Sequence, residues 1–349
     1  MKIIEFLIDE DKTIIEAMNR LNELSKKVLF VVKNDKLVAS LTDGDIRRWI
    51  LKKGNLDALV RDVANYSPKY LYEHEKDEAM KYMKEYFIEA LPILNSDRNI
   101  ETIILINDEE IRDTTPLDLP VVIMAGGKGT RLYPYTKILP KPLIPIGDIP
   151  IVEHIMNRFY YYGCNDFYLI LNHKKEMIKA YFSDIKKEYN IFYFEENKPL
   201  GTGGGLSLLK NKINKTFVLS NCDILINENI RKIFEFHKEE HNFITMVCSL
   251  KKIKIPYGVI EFDSNGEIIE MKEKPELSFF TNTGIYIVEP EVLNELNENE
   301  SISFPEIIDR VRHKGKRIGI YPISEESWSD MGEFEEMDKM KRKMEKRYE

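Results

Sequence analysis

The stretch that decides the fold is Val121-Val-Ile-Met-Ala-Gly-Gly-Lys-Gly-Thr-Arg-Leu-Tyr-Pro-Tyr-Thr-Lys-Ile-Leu-Pro-Lys-Pro-Leu143. Its first four residues, Val121 to Met124, form an apolar run that is typical of a strand buried on both faces of a sheet. Gly126, Gly127 and Gly129 follow, and glycines allow a backbone to turn sharply and approach a ligand closely. The stretch therefore predicts a buried strand that ends in a glycine loop.

Three cations, Lys128, Arg131 and Lys141, accompany this loop. Backbone N–H groups in a glycine turn can point at phosphate oxygens, and nearby cations neutralise charge during transfer at phosphorus. A Walker A loop would need Gly-Lys-Ser/Thr after four intervening residues, and Arg131-Leu132-Tyr133 occupies that place when counted from Gly126. We therefore expect a triphosphate site of another kind.

The same stretch resembles the signature of the sugar-1-phosphate nucleotidyltransferases, Gly-Gly-x-Gly-Thr-Arg-Leu-x-Pro-x-Thr followed by Pro-Lys-Pro, and fills every fixed position. The resemblance, which extends over residues 120 to 340, implies an α/β domain with a Rossmann-like, mostly parallel sheet. It also implies that Arg131 and Lys141 are catalytic and contact the triphosphate. The nucleotide-binding residues that it implies in this loop are Ala125, Gly126, Gly127, Gly129 and Thr130.

Composition excludes several other classes of protein. The 349 residues suffice for two or three domains, and a net charge of -8 without a basic block argues against a nucleic-acid binder. No apolar run approaches the roughly 20 residues that cross a membrane, and the first residues lack a signal-peptide core. Three widely spaced cysteines, Cys164, Cys222 and Cys248, do not make a disulfide framework. We therefore expect a cytoplasmic protein that binds neither nucleic acid nor membrane.

Residues 1–115 show two similar passes of a helix followed by two strands. The spacing of apolar residues predicts, in order, a helix at 13–22, strands at 28–32 and 37–41, a helix at 45–52, a helix at 77–87, and strands at 90–94 and 102–106. A repeat of this length indicates paired units that bury their faces together. It resembles a tandem pair of cystathionine-β-synthase-type (CBS) domains, which implies a regulatory module that senses a nucleotide or supports a homo-oligomer.

The first of these passes contains Thr42-Asp43-Gly44-Asp45, which matches the CBS pattern Ser/Thr-x-x-Asp. The resemblance implies that Thr42 and Asp45 contact the phosphate and ribose of an adenosine nucleotide. Helix capping is the alternative role for both residues. In the second pass Asp108 falls at the acidic position, but Leu105 replaces the hydroxyl residue, so the second site departs from the pattern.

Residues 116–120, with two prolines, predict a linker, and residues 121–349 predict a second domain of alternating strands and helices. Such alternation is typical of a mostly parallel sheet covered on both faces. The predicted strands lie near 121–124, 167–171, 191–194, 217–220, 243–249, 257–262 and 282–288. The predicted helices lie near 150–162, 174–187, 203–210 and 228–241, with a charged helix at 334–349 on the surface or at one edge.

A second glycine-rich stretch, Pro199-Leu-Gly-Thr-Gly-Gly-Gly205, follows a predicted strand. Its spacing, with Asp223 further along, also suits the dinucleotide fingerprint of an oxidoreductase. However, Leu206 occupies the sixth position of that fingerprint, and an oxidoreductase leaves the cations of the first loop unexplained. In the nucleotidyltransferases the matching loop closes over the base, which implies nucleotide binding by Pro199, Gly201 and Thr202.

Asp223 ends the predicted buried strand Phe217-Val-Leu-Ser-Asn-Cys-Asp223, and ligands of open α/β sheets gather at the carboxyl ends of strands. Mg²⁺ takes one or two carboxylates together with phosphate oxygens, so Asp223 is a predicted Mg²⁺ ligand with a part in catalysis. The nucleotidyltransferases usually have Gly where this chain has Cys222. Trp328-Ser-Asp-Met-Gly332 resembles their Trp-x-Asp-x-Gly, which implies that Asp330 is the second metal ligand.

Three short segments resemble those that line the sugar-phosphate pocket of the nucleotidyltransferases. The resemblance implies that Lys274 binds the phosphate, that Glu273 accepts hydrogen bonds from sugar hydroxyls and that Gly258 provides a backbone contact. A solvated surface pair is the alternative for Glu273 and Lys274. The full predicted set is Tyr257, Gly258, Glu273, Lys274, Asn282 and Thr283.

The segment His237-Lys-Glu-Glu-His241 matches the His-x-x-Glu-His of some zinc proteases. It is rich in lysine and glutamate, and the sequence offers no obvious third ligand. We therefore expect a solvated helix end here.

Together these features predict an enzyme in which a sugar phosphate oxygen attacks the α-phosphorus of a nucleoside triphosphate and pyrophosphate leaves. CBS pairs ahead of such a transferase resemble the guanylyltransferases of bacterial surface-sugar pathways, including those that make GDP-glucosamine for legionaminic acid and related nonulosonic acids. That likeness implies GTP and glucosamine 1-phosphate as substrates. Mannose- or heptose-1-phosphate guanylyl transfer, UTP- or dTTP-dependent transfer, and a nucleotide-sensing protein with a degenerate transferase domain remain open.

Overall fold

The computed structural model describes residues 3–24, 28–52, 54–86, 88–105, 115–332, 334, 336–340 and 342. The chain divides into two compact units, Met1–Thr115 and Pro116–Glu349. Within the described ranges, no helix combines the length and the apolar character that crossing a membrane would require.

The first unit contains two three-stranded sheets of the same topology. In each sheet the first strand runs parallel to the second, and the second runs antiparallel to the third. Phe6, Phe30, Leu37, Ala90 and Leu94 join both halves in one apolar cluster. The elements are β1 (Leu7–Asp9), α1 (Ile14–Leu24), β2 (Val28–Lys33), β3 (Lys36–Thr42), α2 (Asp43–Leu51), β4 (Leu71–Tyr72), α3 (Ala79–Glu85), β5 (Ala90–Leu94) and β6 (Ile100–Leu105).

This arrangement confirms the predicted repeat, although α3 begins after a 3-10 turn at Glu73–Glu78 and is shorter than predicted. Phe87 and Asp108, to which predictions were attached, lie outside the described residues.

The second unit is built on a seven-stranded sheet with the order β11-β10-β7-β12-β17-β14-β18. Its strands are β7 (Val121–Met124), β10 (Asp166–Leu171), β11 (Asn190–Glu195), β12 (Phe217–Asn221), β14 (Ile244–Lys254), β17 (Glu276–Val288) and β18 (Ile318–Ile323). Smaller pairings join β8 (Pro145–Ile146) to β9 (Ile149–Pro150), β13 (Ile224–Ile226) to β19 (Trp328–Asp330), and β15 (Gly258–Phe262) to β16 (Ile268–Glu273). The helices include α4 (Tyr135–Ile138), α5 (Ile151–Tyr160), α6 (Lys175–Ser183), α7 (Gly201–Gly204), α8 (Ile230–Glu239) and α9 (Phe304–His313), and residues 336–340, within the predicted helix at 334–349, are also helical.

The sheet is mostly parallel, as predicted, because β17 alone among its strands runs against its neighbours. Side chains of β7 alternate between two apolar cores: Val121 and Ile123 face one, and Val122 and Met124 face the other. Because β7 and β12 are parallel neighbours, with Met124 opposite Asn221, the chain leaves both strands at the same edge of the sheet. The glycine loop and Asp223 therefore start from adjacent positions.

Several elements differ from the sequence predictions. The predicted helix at 203–210 is the short α7 followed by a 3-10 turn at Gly205–Leu209, because its glycines pack closely against other chain segments. Helix α9 was not predicted, although Ser303 and Glu306 form the capping box that would have marked its start. Residues 116–120, the predicted linker, pack within the second unit, where the Leu117 N–H donates to the Tyr162 carbonyl at 3.0 Å.

The prediction of a solvated helix end at His237 was wrong. His237 shares the buried face of α8 with Ile230 and Ile233, and its ring nitrogens hydrogen-bond to Thr245 and Glu289 at 2.8 and 2.9 Å. It points inward because these three positions recur at helical spacing.

Candidate active site

The glycine loop depends on Gly129, whose φ of 63° is left-handed. A Cβ built there would lie 2.9 Å from Thr136 Cγ2 and 3.0 Å from Lys141 Cβ, so both the conformation and the space require glycine. The Thr136 hydroxyl donates to the Gly129 carbonyl at 2.8 Å and holds the loop in place. A Cβ on Gly127 would meet no atom within 4 Å, so the loop has room for a ligand on that side.

Lys141 and Asp223 form a buried ion pair directly beyond this loop. Lys141 enters from the turn after α4, and Asp223 follows the carboxyl end of β12. Burial opposes the charge of the Lys141 ammonium, but its interactions with Asp223, Cys222 and Asp330 together outweigh burial and raise the pKa of Lys141. The Lys141 ammonium therefore stays charged inside the protein.

Asp330 joins this pair through the antiparallel contact of β13 with β19. Ile224 lies opposite Asp330, and the Met331 N–H donates to the Asp223 carbonyl at 2.9 Å. Burial, and then the charge of Asp223, raise the pKa of the Asp330 carboxyl. Its Oδ1 is buried and has no hydrogen-bond partner among the residues that the structure describes.

Arg131 is the fourth member of this group. It is an exposed residue on the 3-10 turn Thr130–Leu132, and its Nη1 is 3.5 Å from a Cβ built on Gly332. Its charge also acts to lower the pKa of Asp330. The structure thus brings together Arg131, Lys141, Asp223 and Asp330, which the sequence places far apart.

The donor set suits a hard divalent cation. No cluster of three or more His, Cys, Asp or Glu side chains able to hold a metal occurs in the described parts of the chain. Two adjacent carboxylates, one with the unpartnered buried Oδ1 of Asp330, are what Mg²⁺ takes from a protein when phosphate and water supply its other ligands. The residues present therefore fit Mg²⁺ bound together with a phosphate-bearing ligand.

The second glycine stretch is held against the start of α9. Gly201 has a φ of 77°, and a Cβ built there would lie 2.8 Å from the Ile302 carbonyl oxygen. The Phe304 N–H donates to the Thr202 hydroxyl at 3.1 Å, so Thr202 caps this helix. Pro199 is exposed on the same loop and is free to contact a ligand.

Glu196 is a residue that sequence reasoning missed, although it lies between the two glycine stretches. Its Oε2 is 2.9 Å from a Cβ built on Gly126, and its Oε1 is 2.5 Å from one built on Gly205. Burial raises the pKa of Glu196 to about 7, against an opposing hydrogen bond from the Leu200 backbone. Its Oε1 is buried and finds no hydrogen-bond partner within the described residues. An acidic residue just before the Pro-x-Gly-Thr segment was the available sequence signal.

The residues predicted to hold the sugar phosphate form a second group at the base of the β15–β16 hairpin. Gly258 lies opposite Glu273, and the Lys274 N–H donates to the Tyr257 carbonyl at 3.2 Å. The side chains of Glu273 and Lys274 are exposed and their charged atoms lie 3.9 Å apart. These four residues are therefore neighbours, and the side chains of Tyr257, Glu273 and Lys274 are exposed.

Asn282 and Thr283 lie on β17, where their side chains stabilise the sheet. The Thr283 hydroxyl donates to the Val247 carbonyl at 2.8 Å and is buried. The Asn282 amide donates to the Tyr286 hydroxyl at 2.6 Å, and its oxygen accepts from the Gly284 N–H at 3.0 Å. The Asn282 oxygen thus contacts the bend at Gly284, whose φ is 85°.

Comparison with known proteins decides the family. A sequence model described as nucleotidyl transferase matches residues 120–347, which is more than half of the chain. The chain belongs to the nucleotidyl transferase family. A second model, the CBS domain, matches residues 5–52.

Relatives within the nucleotidyl transferase family differ in their named substrates. The chain is 32% identical over 225 residues to the bifunctional protein GlmU of Methanococcus maripaludis, covering 61% of this chain and 51% of that protein. It is 30% identical over 239 residues to a UTP–glucose-1-phosphate uridylyltransferase of Synechocystis sp., covering 61% and 60%. The chain thus spans about half to three-fifths of the length of these curated relatives.

The fold of the family is also seen in a solved structure, HddC from Yersinia pseudotuberculosis complexed with GMP-PN. The two align with a TM-score of 0.51 at 22% sequence identity, covering 65% of this chain and 99% of HddC. This likeness concerns the fold alone.

In the CBS domain, Thr42 and Asp45 form a capping box at the start of α2. The Asp45 N–H donates to the Thr42 hydroxyl at 3.1 Å, and the Thr42 N–H donates to the Asp45 carboxylate at 2.8 Å. Arg48 pairs with the same carboxylate. Both side chains therefore have a local structural role, and a nucleotide would have to share their polar atoms.

Proposed function

We propose that this chain transfers a nucleoside monophosphate from a nucleoside triphosphate to a sugar 1-phosphate and releases pyrophosphate. The observation that carries the proposal is the buried Lys141–Asp223 pair, with Asp330 and Arg131 beside it, at the mouth of the glycine loop. Clustered charges of both signs at the carboxyl ends of strands suit a metal-chelated triphosphate.

The reaction needs no nucleophile from the protein. A phosphate oxygen of the sugar 1-phosphate forms a bond to the α-phosphorus, and the bond from that phosphorus to the bridging oxygen of the β-phosphate breaks. Cys222, the nearest thiol, is unsuited to attack, because burial raises its pKa to about 12. The contribution of the chain is positioning and charge neutralisation.

We assign the roles as follows. Arg131 and Lys141 neutralise the triphosphate, while the backbone around Gly127 and Gly129, with Ala125, Gly126 and Thr130, cradles it. Asp223 and Asp330 would hold Mg²⁺, which would supply further neutralisation of the phosphate oxygens.

GTP is the proposed nucleotide, and Glu196 supports that choice. The edge of guanine presents two adjacent donors, N1–H and the exocyclic amine, and a carboxylate can accept from both. Uracil and thymine present one donor between two carbonyl oxygens, which repel a carboxylate. The unpartnered Oε1 of Glu196 lies beside Gly205 in the second glycine stretch, its Oε2 lies beside Gly126, and this placement of the carboxylate favours guanine.

Glucosamine 1-phosphate is the proposed acceptor, for nonulosonic acid synthesis such as that of legionaminic acid. Its support is the CBS domain ahead of the transferase, together with exposed Glu273 and Lys274, which can pair with an ammonium and a phosphate. Mannose- or heptose-1-phosphate with GTP, and glucose 1-phosphate with UTP or dTTP, are the competing assignments.

A screen of pyrophosphate release tests these assignments. Full-length protein is mixed with ATP, GTP, CTP, UTP or dTTP and with a panel of sugar 1-phosphates, with and without EDTA. We expect GTP with glucosamine 1-phosphate to be fastest and EDTA to abolish turnover until Mg²⁺ is restored. Tight binding of adenosine nucleotides without turnover on any pair would instead favour a nucleotide-sensing protein with a degenerate transferase domain.

For the first unit we propose a regulatory role in a cytoplasmic homo-oligomer, through an adenosine nucleotide bound near Thr42 and Asp45. The CBS match supports this role. Titration of AMP and ATP against turnover and oligomeric mass tests it, with Asp45→Ala as the variant. An effect of neither nucleotide on turnover or mass would reject it.

A further inference from the structure

Lys174 lies in the connection between β10 and α6, and its side chain extends to α4, which follows the glycine loop. It has a left-handed φ of 54° and stands directly before α6. Its ammonium donates to three consecutive carbonyls, those of Thr136 at 3.0 Å, Lys137 at 2.6 Å and Ile138 at 3.0 Å. The last carbonyls of a helix have no partner within it, so this one side chain satisfies the end of α4.

The segment that Lys174 binds connects the two cations of the candidate active site, Arg131 and Lys141. Arg131 precedes α4 and Lys141 follows it. Thr136, whose carbonyl Lys174 binds, also donates its hydroxyl to Gly129, so the same contact extends to the glycine loop. The neighbouring His173 N–H donates to the Gly126 carbonyl at 3.4 Å. One connection therefore contacts the loop before Arg131 and the helix after it.

A helix of four residues has no stability of its own. The ammonium compensates its carbonyl dipoles, and without that charge the three carbonyls would turn toward water and the segment would loosen. Loosening would act on Arg131 and Lys141 together, because both are attached to α4 by short connections.

We propose that Lys174 is a positioning residue for phosphoryl transfer, which holds Arg131 and Lys141 in register through the carboxyl end of α4. The proposal rests on the function proposed above. Misplacement of catalytic groups by about 1 Å costs as much as about 100-fold in rate, so loss of the ammonium should lower kcat far more than it alters sugar binding.

The test compares Lys174→Met with Lys175→Met in the full-length protein. Lys175 is the matched control, because its ammonium pairs with Glu195 instead of with α4. We expect Lys174→Met to lower kcat by about 10- to 100-fold with the KM for sugar 1-phosphate changed by less than about two-fold, and Lys175→Met to leave both near wild type.

Chemical rescue separates positioning from folding. In Lys174→Cys, alkylation with 2-bromoethylamine rebuilds an ammonium of nearly the original length, and the cysteines at 164, 222 and 248 are buried in the folded protein. Recovery of kcat on alkylation is expected. Lys174→Met with wild-type kcat, or alkylated Lys174→Cys that folds but stays as slow as the thiol form, would overturn the proposal.

Hydrogen–deuterium exchange distinguishes a failure of this inference from a failure of the proposed function. In Lys174→Met, amides of residues 130–141 should exchange faster while those of β7 stay protected. Faster exchange with no turnover in the wild type would count against the proposed function alone. Unchanged exchange of the amides of residues 130–141 would overturn the proposal that Lys174 is a positioning residue.

Discussion

Asp330 lies beside Asp223 because the strand that ends at Asp330 pairs with the strand that begins at Ile224. The Met331 N–H and the Asp223 carbonyl fix this register. Lys141 pairs with Asp223, whereas the Oδ1 of Asp330 is without a partner in the described structure. The negative charge of Asp330 therefore lowers the stability of the folded protein more than the negative charge of Asp223 does.

We predict opposite stability effects for Asp330→Asn and Asp223→Asn. Asp330→Asn removes a buried charge that Asp223 repels, so its melting temperature in EDTA should rise. Asp223→Asn leaves the Lys141 ammonium without its partner and should lower the free energy of unfolding by about 3 kcal/mol. Both should lower kcat by about 100-fold or more. Equal melting temperatures for the two variants would contradict this account.

Arg131→Ala should lower kcat by about 100-fold while changing the free energy of unfolding by no more than about 0.5 kcal/mol. Arg131 is exposed, so the apolar core does not depend on its side chain. Lys137→Ala is the control, since Lys137 is also exposed in the signature segment and lies over the Tyr133 ring. Steady-state pyrophosphate release and thermal melts measure the two quantities. Wild-type turnover in Arg131→Ala would remove this residue from the mechanism.

Gly129→Ala and Gly127→Ala should both impair the enzyme, but for different reasons. Alanine at 129 must adopt a φ of 63° and meets Thr136 and Lys141, so we expect a lower melting temperature and no turnover. Alanine at 127 meets no atom within 4 Å, so the fold should keep its stability while the methyl group weakens triphosphate binding. Melting temperature together with the KM for GTP distinguishes the two. A wild-type KM in Gly127→Ala would show that the ligand does not approach there.

Glu196→Gln should reduce the preference for GTP over UTP by about 10-fold or more, because an amide offers guanine one acceptor where the carboxylate offers two. The ratio of kcat/KM for the two nucleotides is the measurement. Glu195→Gln is a matched control, since Glu195 is the preceding residue and pairs with Lys175 and Lys179 at the surface. If Glu196→Gln and Glu195→Gln show the same preference for GTP over UTP, Glu196 does not recognise the base.

Glu196 also predicts a dependence on pH. Its folded pKa of about 7 lies above the ordinary value of 4.5, so the stability it contributes is present in full below pH 4.5 and is lost as pH rises through about 7. Without nucleotide, Glu196→Gln should therefore be more stable than wild type at pH 8, by at most about 3 kcal/mol, with a smaller difference at pH 5. In wild type, kcat/KM for GTP should fall below pH 7 as the carboxylate that accepts from guanine becomes protonated. A stability difference that is the same at pH 5 and pH 8 would show that burial does not perturb this carboxyl.

The sequence by itself determined the strand Val121–Met124, with the bounds observed, and the glycine loop after it. It also determined the mostly parallel sheet and the repeat in the first unit. These features follow from residues that are close together in the chain, because apolar runs, glycine spacing and capping pairs act locally.

The resemblance to the nucleotidyltransferases predicted that Asp223 and Asp330 would share a metal, but only the tertiary structure decided the surroundings of each carboxyl group. Glu195 and Glu196 are adjacent in the sequence, yet Glu195 forms surface ion pairs with Lys175 and Lys179, while Glu196 is buried between Gly126 and Gly205. Asp330 reaches Asp223 through the β13–β19 pairing. Burial and long-range strand pairing set these carboxyl environments. Both arise from contacts between segments that are distant in the chain, and the spacing of residues along the chain does not determine such contacts.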